Sequence, residues 1–100
     1  MARAQRMPKD KSLPKKRVTF SYAAPGAGTV SVVGTFCEWD TSAVALGQGR
    51  DGVWKKTVWL TPGRYEYRFF VDGQWCDDPA AAERVPNEFG SANDVLHVDT

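Results

Sequence analysis

Histidine, cysteine and methionine are scarce in this sequence, at one, two and two residues in 100, and each scarcity removes a class of chemistry. With His97 alone, in what reads as the last strand, no set of nucleophile, base and orienting group can be assembled. Cys37 and Cys76 are too few for a disulfide framework and lack the close pairing of zinc ligands, so both are read as free thiols. The acids lack the spacing of a calcium loop, and neither metal nor other cofactor is expected. No apolar run approaches the roughly 20 residues of a membrane span, and the basic N-terminus has no apolar h-region to make it a secretory signal. A cytoplasmic location without membrane contact is therefore expected. Helical periodicity is missing from every stretch of ten or more residues, the short Pro79–Arg84 segment being the one hint of it.

One hundred residues with 42% hydrophobic content suit a single domain with a modest core. The formal net charge of +1 is unevenly spread: the first twenty residues carry seven basic side chains against one acid, and the remainder six against eleven. Residues 1–14 are polar, basic and broken by Pro8 and Pro14, and read as a disordered arm. Residues 15–100 read as one folded domain, expected to be a monomer. Because that domain is acidic, no face for nucleic acid is expected.

What is present is strand pattern. RVTFSY alternates, AAPGAG is a turn cluster, and TVSVVG points Val30 and Val32 one way and Ser31 and Val33 the other. GTFCEWDTSAVAL reads as a loop with Trp39 between Glu38 and Asp40. VWKKTVWL and RYEYRFFV alternate on either side of a TPG turn, Pro79 to Asn87 reads as irregular, and Asp94 to Val98 supplies a last strand. Strands of five to eight residues at this spacing predict an all-β antiparallel sandwich of about seven to eight strands. The expected core is Val18, Phe20, Val30, Val32, Phe36, Trp54, Val58, Leu60, Tyr65, Tyr67, Phe69, Val71, Leu96 and Val98. Trp59 alternates outward without an assigned partner, as a lone surface aromatic or part of an undefined interface.

The stretch YRFFVDGQW fixes one register. Asp-Gly is a strong signal for a two-residue turn with positive φ at both positions. A turn at Asp72-Gly73 sets Val71 opposite Gln74, Phe70 opposite Trp75, Phe69 opposite Cys76 and Arg68 opposite Asp77. Tyr65, Tyr67, Phe69 and Val71 then face the core with Cys76, whereas Arg68, Phe70 and Trp75 share the outer side.

The segments GTFCEW, DGVWKKTVWLTPGRYEYRFFVDGQW and NEFGSANDVLHV, in this order, resemble the glycogen-binding domain of the AMP-activated protein kinase β subunit. More broadly they are similar to the starch- and glycogen-binding modules that precede branching enzymes and isoamylases. The resemblance covers about Arg17 to Val98. It implies an immunoglobulin-like sandwich without catalytic residues that binds α-1,4-linked glucans such as glycogen, starch or maltooligosaccharides. It further implies a role in targeting or regulating a glucan-metabolising enzyme or kinase. Carried over residue by residue, the sugar contacts implied are Trp39, Arg68 and Trp75, with Phe89 as an apolar wedge and Ser91 and Asn93 as hydroxyl and amide. Arg68 stands where the kinase subunit has Lys, and Phe89 where it has Leu.

Those residue types suit the ligand. A pyranose offers a C–H face to an indole and hydroxyls to donors around its rim. Trp39 and Trp75 supply platforms, Arg68 forked donors, and Asn93 and Ser91 groups that both donate and accept. Catalysis is not expected. Asp72 belongs to the turn, Asp77 lies opposite Arg68 as a screened surface pair, and Asp78 precedes Pro79 as a turn residue, so no two acids are free to flank a bond. The alternative is an immunoglobulin-like module that docks a protein and binds no glycan. Single-stranded nucleic acid also uses aromatic platforms, but Glu38, Asp40, Asp77 and Asp78 crowd this one.

Overall fold

The computed structural model describes residues 14–99, so the reading of the basic arm falls, apart from Pro14, outside the described residues. Among the described residues eight strands form: β1 Lys16–Ala23, β2 Val30–Gly34, β3 Gly47–Gln48, β4 Val53–Leu60, β5 Gly63–Val71, β6 Gln74–Cys76, β7 Glu83–Pro86 and β8 Ala92–Val98. A short 3-10 turn, Thr35–Cys37, follows β2. The smaller sheet has the order β1-β4-β3. The larger has the order β2-β5-β8-β7, with β6 pairing the distal half of β5. All pairings are antiparallel. Between β2 and β3 the chain passes from one sheet to the other. Val32 N–H donates to Val44 O at 3.0 Å and Leu46 N–H to Val30 O at 2.8 Å, before Gly47 and Gln48 pair with β4. The result is an antiparallel β-sandwich.

The β5–β6 hairpin adopts the register expected from alternation, with Val71 opposite Gln74, Phe70 opposite Trp75 and Phe69 opposite Cys76. Asp72 and Gly73 have φ of 49° and 80°, the left-handed pair that an Asp-Gly turn requires. Asp72 does more than turn the chain. Its Oδ1 accepts from the N–H groups of Gly28 and Thr29, both at 2.8 Å, tying the β1–β2 loop to the hairpin tip.

Aromatic side chains fill the space between the sheets. Phe20 lies 5.1 Å from Tyr67 and 6.4 Å from Phe69 between ring centroids, and Tyr22 lies 4.8 Å from Phe69. Trp54, 8% exposed, satisfies its indole by donating to Ala24 O at 2.9 Å, as a buried indole should. Val18, Phe36, Val58, Val71 and Leu96 pack around this centre as half-buried residues, with Cys76 among them. Gly34 leaves room for its neighbours within the larger sheet: a Cβ there would sit 2.9 Å from Cβ of Tyr67, its partner on β5.

The structure corrects four expectations. Val33 and Val95 are buried although they project from the outer face of the larger sheet, in register with Arg68 and Glu66, two residues that line a cleft on that face. Leu46 also joins the core, whereas Tyr65 and Val98 remain half exposed. Pro79–Asn87 is not irregular throughout, since Glu83–Pro86 pairs with Ala92–Val95 of β8. Asp78 is more than a turn residue. It is buried, accepts from Tyr67 Oη at 2.6 Å, and donates its N–H to the fully buried Asp94 at 2.9 Å. Arg84 closes this network, with Nε on Asp94 Oδ1 at 2.9 Å and Nη2 on the Asp78 carbonyl. Burial pushes the Asp94 carboxyl above the ordinary carboxylate range against the pull of the Asp78 N–H and Arg84, and burial with the Asp78 bond pushes the Tyr67 phenol up.

Candidate functional site

A cleft of about 720 Å³ lies on the outer face of the larger sheet, lined by Trp39, Glu66, Arg68, Trp75, Asn87, Glu88, Phe89, Ser91 and Asn93. All six residues singled out from sequence therefore come together, from four separate parts of the chain. Strand parity delivers Arg68 and Glu66 from β5, Trp75 from β6 and Asn93 from β8 to one face. Loops deliver Trp39, Phe89 and Ser91 to its rim.

The two indoles are held differently. Trp75 is 45% exposed and packs on Phe70 across the hairpin, with centroids 4.8 Å apart and planes inclined at 53°, so one side is supported and the other presented. Trp39 follows the 3-10 turn. Both it and Glu38 have left-handed backbones, at φ 61° and 54°, conformations that cost a non-glycine residue on the order of 1–3 kcal/mol. Hydrogen bonds hold them there: Trp39 N–H donates to Gly34 O at 2.9 Å, and Asp40 Oδ1 accepts from the N–H and hydroxyl of Ser42 at 2.9 and 2.8 Å.

A continuous hydrogen-bonded chain runs across the cleft floor. Asp77 Oδ1 accepts from Arg68 Nη2 at 2.8 Å, and Arg68 Nη1 donates to Ser91 Oγ at 2.9 Å. Asn87 Nδ2 donates to Ser91 Oγ at 3.2 Å and to Asn93 Oδ1 at 3.0 Å. Asn93 Nδ2 donates to Glu66 Oε1 at 3.0 Å, and Arg64 Nη1 to Glu66 Oε2 at 2.8 Å. Hydrogen bonds from Asn93 and then Arg64 hold the Glu66 carboxyl below its ordinary range. The pair expected from sequence forms, with the Asp77 carboxylate 54% exposed at the surface and the Arg68 side chain, 14% exposed, drawn into the cleft floor. Its Nε is buried without a partner among the described residues. With Ser91 Oγ already accepting twice, its hydroxyl proton is free to donate, and one N–H of Asn93 is likewise unspent. The floor thus offers fixed donors toward the cleft.

Phe89 stands clear of the surface at 84% exposure. Its loop is built on Asn87, whose Oδ1 accepts from Phe89 N–H at 2.9 Å and Ser91 N–H at 3.1 Å while Asn87 N–H donates to Ser91 O at 3.0 Å. Gly90, at φ 82°, supplies the left-handed step that returns the chain to β8. Glu66, Asn87 and Glu88 were not anticipated. Glu66 could have been found, since it lies two residues before Arg68 in an alternating strand; Asn87 and Glu88 sit in a loop without periodicity.

Among protein families, residues 16–100 match the model of the glycogen recognition site of AMP-activated protein kinase. The human 5'-AMP-activated protein kinase subunit beta-2 is 34% identical over 73 residues, covering 73% of this chain and 26% of that protein. Protein FLOURY ENDOSPERM 6, chloroplastic, of Oryza sativa subsp. japonica is 34% identical over 89 residues, 89% of this chain and 16% of that protein. Protein PTST homolog 2, chloroplastic, of Arabidopsis thaliana is 40% identical over 53 residues, 53% of this chain and 10% of that protein. The chain spans about a quarter or less of the length of each of these relatives.

Proposed function

The chain belongs to the glycogen-recognition family of AMP-activated protein kinase, and from that premise we propose that its cleft binds α-1,4-linked glucan without acting on it. The observation that carries this reading is the joining of two indoles, an exposed Phe89 and a floor of locked donors in one open cleft. Trp75 and Trp39 cover pyranose faces, Phe89 wedges between glucosyl units, and Arg68, Ser91 and Asn93 bond rim hydroxyls. Because the donors are already fixed by one another, little order has to be gained when the ligand arrives. Catalysis has no support in the site. A glycosidase acid needs a raised carboxyl, whereas Glu66 is held low by Asn93 and Arg64 and Asp77 is paired with Arg68. The raised carboxyl, Asp94, lies buried on the core side. The domain acts as a monomer that brings a glucan-metabolising enzyme or kinase to its polysaccharide.

Native electrophoresis through polyacrylamide containing soluble glycogen tests this reading. The chain should be retarded relative to a gel without glycogen, and Trp75→Ala should migrate alike in both. Equal mobility of the unaltered chain in the two gels would leave the protein-docking alternative in its place.

A further inference from the structure

The opposite face of the sandwich carries a second exposed indole that the cleft does not use. Trp59 of β4 is 58% exposed. Register places it beside Arg17 of β1, followed along the same outer face by the pairs Thr57 with Thr19 and Lys55 with Ser21. The two threonine hydroxyls are bonded to each other at 2.8 Å. Arg17 and Lys55 lie on this outer face, while Lys16 and Lys56 share the register of Leu60 and Phe20 on the other; the two strands hold not one acid, although acids outnumber bases eleven to nine from position 15 onward. Among the described residues none of these four cations enters an ion pair. The cleft face has the other sign, with Glu66 and Glu88 in its lining and Asp77 on its arginine.

We propose that the outer face of β1 and β4 is a second, weaker saccharide platform selective for α-glucan that carries phosphate monoesters. Trp59 stacks on a glucosyl ring, and Arg17 alongside it presents a fork matched to phosphate oxygens. Lys55 lies four residues along the strand, roughly 13 Å away, within reach of a neighbouring unit of the same chain. A phosphate monoester carries about −1.5 to −2 charges at neutral pH, which suits an unpaired basic face and opposes the acid-lined cleft. A protein interface is less well served. The neighbours of Trp59 on this face are hydroxyl-bearing or cationic, whereas interface centres are apolar and depleted of charge. Single-stranded nucleic acid would want successive aromatic platforms along a groove, and this face offers one. The glucan part of the assignment rests on the reading of the cleft; the anionic selectivity rests on the charge of the face itself.

Two-dimensional NMR of the full chain, following the indole N–H signals of Trp39, Trp54, Trp59 and Trp75, distinguishes the two faces. Maltoheptaose should move Trp39 and Trp75. A phosphorylated maltooligosaccharide of matched length should also move Trp59, binding there about tenfold more tightly than the neutral sugar, and raising ionic strength to about 1 M should erase that preference. In Trp75→Ala the Trp59 response should persist, and in the Arg17→Ala/Lys55→Ala double variant it should vanish while the cleft still takes maltoheptaose. A Trp59 signal that stays still, moves equally with the neutral sugar, moves as far with inorganic phosphate alone, or responds more strongly to a thymidine oligonucleotide overturns the proposal. If Trp59 responds to the phosphorylated sugar but Trp75 answers neither, the cleft reading fails and this face stands.

Discussion

Replacing Asn87 by Ala should weaken glucan binding without unfolding the domain. The side chain makes four hydrogen bonds, to the N–H groups of Phe89 and Ser91, to Ser91 Oγ and to Asn93 Oδ1. Two of the partners are loop amides that water can reach once the side chain is gone, so the stability loss should stay below about 1 kcal/mol. Binding is affected more. Without the Asn87 bracket, Glu88 to Gly90 regain backbone freedom, and ordering a residue costs roughly 1–2 kcal/mol. The remaining backbone bond from Asn87 N–H to Ser91 O retains part of the order. About 1–2 kcal/mol should then be lost on binding, a fall of about 5–30-fold in affinity. Maltoheptaose titration by intrinsic Trp fluorescence, paired with a thermal melt, measures both terms. Affinity unchanged within about twofold would refute the claim that loop order contributes to binding. A melt depressed by more than about 10 °C would instead make Asn87 a fold residue, given about 4–8 °C per kcal/mol in a domain of this size.

Three further outcomes are expected. Trp54→Ala should cost roughly 3–5 kcal/mol and unfold much of the population at ambient temperature, as seen in a urea melt. Arg84→Met should cost about 2–3 kcal/mol at neutral pH, less than the loss of a wholly buried partner because Arg84 is itself 38% exposed. Since the folded Asp94 carboxyl is raised, its stabilising contribution lies below the ordinary carboxylate pKa and is lost as pH rises. The deficit of Arg84→Met should therefore shrink on acidification, and a deficit that grows in paired urea melts would contradict the network. Glu66 has the opposite sign: its folded carboxyl is lowered, so its support of Asn93 is present at neutral pH and lost as pH falls. Maltoheptaose affinity should drop once Glu66 protonates, and Glu66→Gln should flatten that drop in a titration series.

Legibility in the sequence followed the range of the interactions concerned. The β5–β6 hairpin could be read to the residue because alternation and an Asp-Gly turn are local signals, and Trp75 and Arg68 came with it. Phe89 and Ser91 were placed by resemblance rather than by pattern, because a loop has no period to betray which way a side chain points; Asn93 was placed the same way because the last strand, read from Asp94, begins at Ala92. Asp94 was hidden for another reason. A fully buried carboxylate on the core side of β8 contradicts the rule that alternation selects apolar residues, and only its partners Arg84 and the Asp78 N–H make it tolerable. Those partners lie in a segment that looks irregular until β8 is there to pair with it. Val33 and Val95 escaped a core reading that followed one face of each strand, because the other face of the larger sheet also buries apolar side chains, beside Arg68 and Glu66.

Trp75 is the residue on which glucan binding in the cleft depends most directly. Maltoheptaose should bind the unaltered chain with a dissociation constant of roughly 10 μM to 1 mM, about −4 to −7 kcal/mol. Losing one indole platform should remove on the order of 1–3 kcal/mol, by analogy with aromatic stacking on bases. Because Trp75 projects from the outer face at 45% exposure, Trp75→Ala should melt as the unaltered chain does and bind about 5–150-fold more weakly in the same titration. A Trp75→Ala protein that is folded and binds maltoheptaose with unchanged affinity would contradict the assignment of this cleft as the glucan site.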